Sequence, residues 1–284
     1  MRFRSVLVVF LTVASSADAQ QSAQPAPAGS ARGLLQLARG QWDAGDPAAA
    51  LEMLRTARAL APNSEEVLSA FAQAALAARA LGPAIAALDP LTRMCPTVGH
   101  YQYLLGVALM EAGDMAGAMQ SLERADRLEP EQPRTLLALG LALNRAKQYA
   151  DARAALLRSL ELDPENMDGL AALAEAEAGT GDARQAEEHA RRVLTRAAAH
   201  ATASLVMGIV LMQQERYRDA RDALETAVAA DPASAAAHYQ LSLAFARLGD
   251  EPRSHQEIEL YQQKLRETEE RIKALRSPTG EKRR

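Results

Sequence analysis

The chain has a single cysteine, Cys95, among 284 residues. One thiol cannot close an intrachain disulfide, so the fold does not depend on oxidation. Cys95 is read either as a small buried hydrophobe or as a free thiol. Aromatic residues make up only 4% of the chain, and runs of Val, Ile and Thr are scarce after residue 13. Strands draw on those residue types, so a β architecture is disfavoured. Motifs that carry chemistry are missing too: no G-x-x-x-x-G-K-[ST] phosphate loop, no H-E-x-x-H pair and no G-x-S-x-G elbow. The five histidines, His100, His189, His200, His238 and His255, are scattered, and none pairs with a nearby Cys or His at metal-ligand spacing. The cluster Asp163, Glu165, Asn166, Asp168 before Gly169 suggests a calcium loop, but Met167 stands where an oxygen ligand is required. No two acidic residues are placed to act as a catalytic pair. The expectation is a protein that is not an enzyme and needs no cofactor and no metal.

Charge of one sign is nearly balanced, at a net −4. Residues 264–284 are locally basic, so the stretch before them is more acidic than the whole. An acidic body is a poor partner for nucleic acid, whose phosphates call for clustered Lys and Arg. Long apolar runs are also lacking. The longest lies at the start, where Arg2 and Arg4 precede Ser5 to Val13 and Ala17-Asp18-Ala19 follows. That stretch is too short to cross a bilayer, which takes about 20 residues, and it has the layout of a secretory signal peptide over residues 1–19. An uncleaved anchor is the alternative. No Cys follows it to accept a lipid, and the twin-arginine pattern is missing. A periplasmic or secreted protein is expected, cleaved after Ala19 and without a transmembrane segment in the mature chain. Residues 20–30, rich in Gln, Pro, Ala and Ser, read as a flexible linker.

What the chain does have is a repeat. Pro62, Pro96, Pro130 and Pro164 are evenly spaced at 34 residues; Ala198 interrupts the series and Pro232 resumes it. Units on this register start at residues 31, 65, 99, 133, 167, 201 and 235. Their eighth position is always small: Ala38, Ala72, Gly106, Gly140, Ala174, Gly208, Ser242. So is the twentieth: Ala50, Ala84, Ala118, Ala152, Ala186, Ala220, Ser254. The twenty-fourth is Leu54, Leu88, Leu122, Leu156, Ala190, Leu224 and Ile258. Two helices can cross closely only where side chains are small, with a bulky neighbour filling the seam. Gly45, Gly113, Gly181 and Gly249 fall between the two apolar stretches, where glycine ends a helix in a left-handed conformation. Asp46, Asp114, Asp182 and Asp250 follow and can cap the second helix.

A period of 34, two helices per unit, small residues at eight and twenty and proline at thirty-two resemble the tetratricopeptide repeat family over residues 31 to about 265. The resemblance implies an all-α, right-handed α-solenoid of about seven tandem helix-turn-helix repeats. Domain limits follow: 1–19 signal peptide, 20–30 linker, 31–268 repeat array, 269–277 the end of an extended C-terminal capping helix, 278–284 a basic tail. Three departures stand out. Arg79 replaces the turn glycine of the second unit, with Gly82-Pro83 a little later, which predicts a shifted turn. Gln41 and Glu177 stand where the family usually has an aromatic. Ala190 stands for the seam hydrophobe and Ala198 for the proline of the fifth unit, and the first and fifth units are expected to pack loosely or to curve differently.

In this family the first helix of each unit lines a concave surface, and the resemblance implies a scaffold or adaptor that binds a partner peptide or helix there. A chaperone-like holder of extended segments is the alternative. Carried over to this register, the partner-binding positions are Tyr103, Val107 and Met110 in the third unit. The fourth gives Leu137, Leu141, Asn144 and Arg145, and the sixth Leu205, Ile209 and Met212. The seventh gives Tyr239, Leu243 and Arg247. Apolar surface of this kind suits an extended peptide or an amphipathic helix. The matched Lys, Arg and Asn with which some members grip a C-terminal carboxylate do not assemble. The last helix also carries a heptad row, Ile258, Tyr261, Leu265, Ile272 and Leu275, which beyond Leu265 leaves self-association, a helical partner or solvent open.

Overall fold

A computed structural model describes residues 29–276. The expected signal segment, residues 20–28 of the linker and the tail from Ser277 onward lie outside the described residues. Fourteen helices occupy the described chain: α1 (Ala31–Asp43), α2 (Pro47–Leu60), α3 (Glu65–Ala77), α4 (Leu81–Met94), α5 (Gly99–Ala112), α6 (Met115–Leu128), α7 (Pro133–Arg145), α8 (Tyr149–Leu162), α9 (Met167–Thr180), α10 (Ala183–Arg196), α11 (Ala201–Gln213), α12 (Tyr217–Ala230), α13 (Ala235–Arg247) and α14 (Glu251–Arg276). The first helices start on the residues that the 34-residue register assigns to the unit starts. The chain divides into two compact units, one running to Ala112 and the other from Gly113 onward.

Local chemistry sets the helix ends. Asp46 accepts from the Ala49 N–H at 2.9 Å and Asp114 from the Gly117 N–H at 3.1 Å. Asp182 accepts from the Gln185 N–H and Asp250 from the Arg253 N–H. Each removes one of the donors that a helix N-terminus leaves open. Ser30, Ser64, Asn166 and Ser234 cap first helices in the same way. The apparent calcium cluster is explained by this chemistry. Asn166 caps α9 and Glu165 pairs with Arg192 and Arg196, while Asp168 meets His200 at 3.1 Å. Ala198 sits in the turn that proline occupies in the other units, and the turn forms without it.

The turn inside each hairpin adopts one conformation in all seven repeats. Its key residue has positive φ whether it is Gly45, Gly113, Gly181, Gly249 or the non-glycines Arg79, Lys147 and Glu215. The shifted turn expected at Arg79 is therefore corrected. Arg79 holds φ 57°, α4 begins at Leu81, and Gly82-Pro83 lie inside that helix. The seam chemistry outweighs the local strain of a side chain in this region, about 1–2 kcal/mol per residue.

The seam itself is tight. A Cβ on Gly140 would overlap the Leu156 side chain, and one on Gly208 would overlap Leu224. The alanines at position twenty are buried in every repeat that has one, and the leucines at twenty-four are buried throughout. Stacking then joins the hairpins. α8 packs on α9, α10 on α11 and α12 on α13. In the first compact unit α2 packs on α3 and α4 on α5.

Gly140→Leu should destabilise the protein more than Leu137→Ala. Overpacking costs typically 1–3 kcal/mol and the overlap with Leu156 sets it toward the upper end. Leu137 is only half-buried and should lose less than the 2–5 kcal/mol of a core truncation. Thermal melts rank the two, and the reverse order would break the register. Lys147→Gly should stabilise by about 0.5–1 kcal/mol, because glycine adopts this conformation without strain; a lower melting temperature would contradict it.

Candidate functional site

Consecutive first helices touch, α1 with α3, α7 with α9, α9 with α11 and α11 with α13. In the second compact unit α7, α9, α11 and α13 thus form a continuous layer. The structure divides the expected partner-binding residues by exposure. Tyr239 and Leu243 stand open at 40% and 36%, one helical turn apart on α13. Arg145 is exposed, whereas Tyr103, Val107, Ile209 and Met212 are half-buried. Tyr103 stacks on His100 with ring centroids 6.2 Å apart. Met212 and Leu205 pack against the cluster of Leu224, Leu241, Ala244 and Phe245.

Three expected contact residues are corrected to interior positions. Met110 is 2% exposed, and Leu141 is also buried. Asn144 is buried and turned into the stack, its Nδ2 donating to the Ala172 carbonyl at 2.8 Å and to Glu175 at 3.4 Å. A buried amide is kept where it bonds a backbone carbonyl that helix geometry alone leaves free to accept again. Glu175 lies beside it, and burial pushes its carboxyl above the ordinary range against the opposing pull of Arg145 and Asn144.

The fifth hairpin holds a feature that single positions in the sequence do not disclose. Glu177, on α9, is fully buried and its Oε2 lies 2.7 Å from Nδ1 of His189 on α10. The family's aromatic at this position is thus replaced by an ion pair that ties the two helices of one hairpin. Ala190, next in sequence, is buried. His189 is raised above the usual imidazole range, first by its bond to Glu177 and further by Glu188, against burial and Arg192. In the seventh hairpin a histidine and a glutamate also meet across the two helices, Nδ1 of His238 on α13 lying 2.6 Å from Oε2 of Glu257 on α14. The sequence signal for both would be a His and a Glu on facing positions of one repeat. A second missed contact is Tyr261 of α14, whose ring centroid lies 5.3 Å from that of Tyr239.

A stack of capped two-helix hairpins with a tight small-residue seam and an open first-helix face defines a helical-repeat protein of the interaction type. Tetratricopeptide repeat models match residues 103–167 and 205–264, and a further one matches 41–106. The chain belongs to the tetratricopeptide repeat family. Among solved structures it is similar to a tetratricopeptide repeat protein from Parabacteroides merdae, with TM-score 0.69 and 13% identity over 87% of this chain and 99% of that one. It is also similar to PilW, a type IV pilus biogenesis factor, with TM-score 0.60 and 18% identity over 76% and 98%. A third is the Cut9–Hcn1 hetero-tetramer of the APC/C, with TM-score 0.62 and 17% identity over 76% of this chain and 43% of that one. At these identities the likeness concerns the fold. No curated protein matches the chain significantly.

The Glu177–His189 pair makes stability depend on pH. A folded-state pKa raised above the unfolded value adds stability that is fully present below about pH 6.5 and is lost as pH rises through the folded value. The wild-type melting temperature should therefore fall more between pH 6 and pH 9 than that of His189→Gln. Equal slopes in the two proteins would refute the pair's contribution.

Proposed function

We propose that the chain is an exported, non-catalytic adaptor whose first-helix face in the second compact unit binds a segment of a partner protein. The observation that carries this is the pair Tyr239 and Leu243, two large apolar side chains left open on α13 while the equivalent apolar side chains, Leu35, Tyr103, Leu137 and Leu205 for Tyr239 and Val107, Leu141 and Ile209 for Leu243, are half-buried or buried. Tyr combines apolar area with a polar end and suits adaptable contacts. The membership of the family supports the class of function. The apolar character of this pair favours an apolar segment, extended or helical, over an anionic terminus. Among the described residues no helix is long and apolar enough to cross a membrane. Export rests on the arrangement of Arg2, Arg4, Ser5 to Val13 and Ala17-Asp18-Ala19.

Two measurements test this. Tyr239→Ala with Leu243→Ala should weaken capture of the partner from an envelope fraction more than tenfold, since a buried aromatic anchor often contributes over 2 kcal/mol. Helix content should stay unchanged. One stable partner lost in the variant supports an adaptor; many weak clients retained by both proteins would favour the chaperone-like holder instead. Intact mass of the protein from its native host should correspond to a chain beginning at Gln20, and a mature pool retaining residues 1–19 would defeat export by cleavage.

A further inference from the structure

Neighbouring hairpins of the second compact unit are joined through one set of repeat positions. Where the sixth hairpin meets the seventh, Leu205, Met212 and Val228 pack against a cluster of Leu224 with Leu241, Ala244 and Phe245. Positions five, twelve, twenty-four and twenty-eight of one hairpin, its back, thus meet seven, ten and eleven of the next, its front. The joint before it is built alike, with Ala171, Ala178, Ala190 and Leu194 in one cluster with Met207 and Val210. The first compact unit follows the same set. There the Arg58 guanidinium, at twenty-eight, lies 5.1 Å from the centroid of the Phe71 ring, at seven.

Among the described residues one front and one back have no hairpin against them. The front is on α1. Leu37, at seven, is 47% exposed, whereas Phe71, Leu105, Leu139, Leu173 and Leu241 are buried at that position and Met207 is half-buried. Gly40, at ten, is exposed, and a Cβ on it would meet nothing within 4 Å; the residue at ten is fully buried in the other hairpins, Ala74 and Ala244 among them. A hairpin that ends an array in water ordinarily turns polar residues outward. α1 keeps leucine at seven, as an interior joint requires. The back is on α13 and α14. Tyr239, at five, and Ala246, at twelve, are exposed. Ile258, at twenty-four, is half-buried, whereas the leucines at that position are buried. Tyr261 extends this surface, its ring centroid 5.3 Å from that of Tyr239. The far end of α14 is engaged elsewhere in the same compact unit, since a Cβ on Gly113 would stand 2.8 Å from Cδ1 of Ile272.

The departures from the interior pattern are matched. Positions eleven and twenty-eight are Phe245 and Val228 where the sixth hairpin meets the seventh, but Gln41 on the open front and Gln262 on the open back. Each side of the joint therefore offers one amide, and an amide both donates and accepts. We infer that the back of the seventh hairpin binds the front of the first hairpin of a second copy, α13 and α14 against α1, in the manner of an interior joint. Each copy carries both halves, so the contact joins unlike surfaces. It does not depend on the partner proposed above, but the two share Tyr239, so a second copy and that partner compete for α13.

The test is sedimentation velocity of the purified full chain. Its weight-average mass should rise with concentration, with a Kd on the order of 10 µM for a joint that keeps only part of the apolar set. Leu37→Asp blocks the front and Tyr239→Asp the back; both side chains are already well exposed, so helix content should stay unchanged. Each variant alone should associate at least about tenfold more weakly than the wild type, because the joint would bury an unpaired carboxylate. An equimolar mixture of the two should form a one-to-one pair through the front and back left intact. A mixture that stays monomeric overturns the inference. Undiminished association of Tyr239→Asp would mean that α1 meets α1, and of Leu37→Asp that two seventh hairpins meet; either overturns it, as does a wild type that is monomeric at about 100 µM. Gln41→Phe with Gln262→Val restores the interior residues and should tighten association several-fold, and adding Tyr239→Asp should remove the gain; a gain that survives contradicts the joint. If the mixture pairs while Tyr239→Ala with Leu243→Ala still captures partner normally, the joint stands and the partner-binding reading of that face fails. A monomeric wild type whose partner capture is lost in that variant has the opposite meaning.

Discussion

The fold depends on how closely two helices can cross within one hairpin. Where Gly140 and Gly208 meet Leu156 and Leu224, the gap is too small for even a methyl group. This contact fixes the relative position of the two helices, and the turn between them must then accept whatever backbone the crossing dictates. It does so at some cost: Arg79, Lys147 and Glu215 are held with positive φ, a conformation that suits glycine. The capping aspartates act on the same joint from outside, by ending one helix and starting the next at a set residue. Because no hairpin buries its whole apolar surface, each leans on its neighbour, and the stacked first helices are left presenting one face to solvent.

The fifth hairpin tests how far the rule extends. It lacks the large seam residue, has a carboxylate where an aromatic is usual and lacks the closing proline, and yet its helices start on the same register as those of its neighbours. An ion pair between Glu177 and His189 supplies a directional tie in place of apolar volume. Such a pair trades desolvation against mutual attraction, so its net contribution is small, while the raised pKa of His189 ties it to pH. The seventh hairpin, with His238 and Glu257, places a similar tie at the base of α14.

Much of this architecture was legible in the sequence, because each repeated position answers to a local constraint. Small residues at eight and twenty, leucine at twenty-four and aspartate after the turn each mean the same thing in every repeat. The register therefore placed the helix starts correctly, and the family resemblance gave the class. The turn at Arg79 is not legible in this way, because the helix crossing overrides the local preference for glycine. The outer face was read less well. Met110, Leu141 and Asn144 share their repeat positions with exposed residues, so the position in the repeat alone does not tell which are covered. The contact of Ile272 with Gly113 joins residues far apart in the chain, and no periodicity within one repeat encodes it.

The most direct test of the seam is a double-mutant cycle at Gly208 and Leu224. Gly208→Ala alone should destabilise by more than about 1 kcal/mol, because its methyl group has no space beside Leu224. In a Leu224→Ala background the same change should cost little or become favourable, giving a coupling above about 1 kcal/mol. Effects that add to within about 0.5 kcal/mol would mean that the two residues do not set the crossing, and would contradict the account.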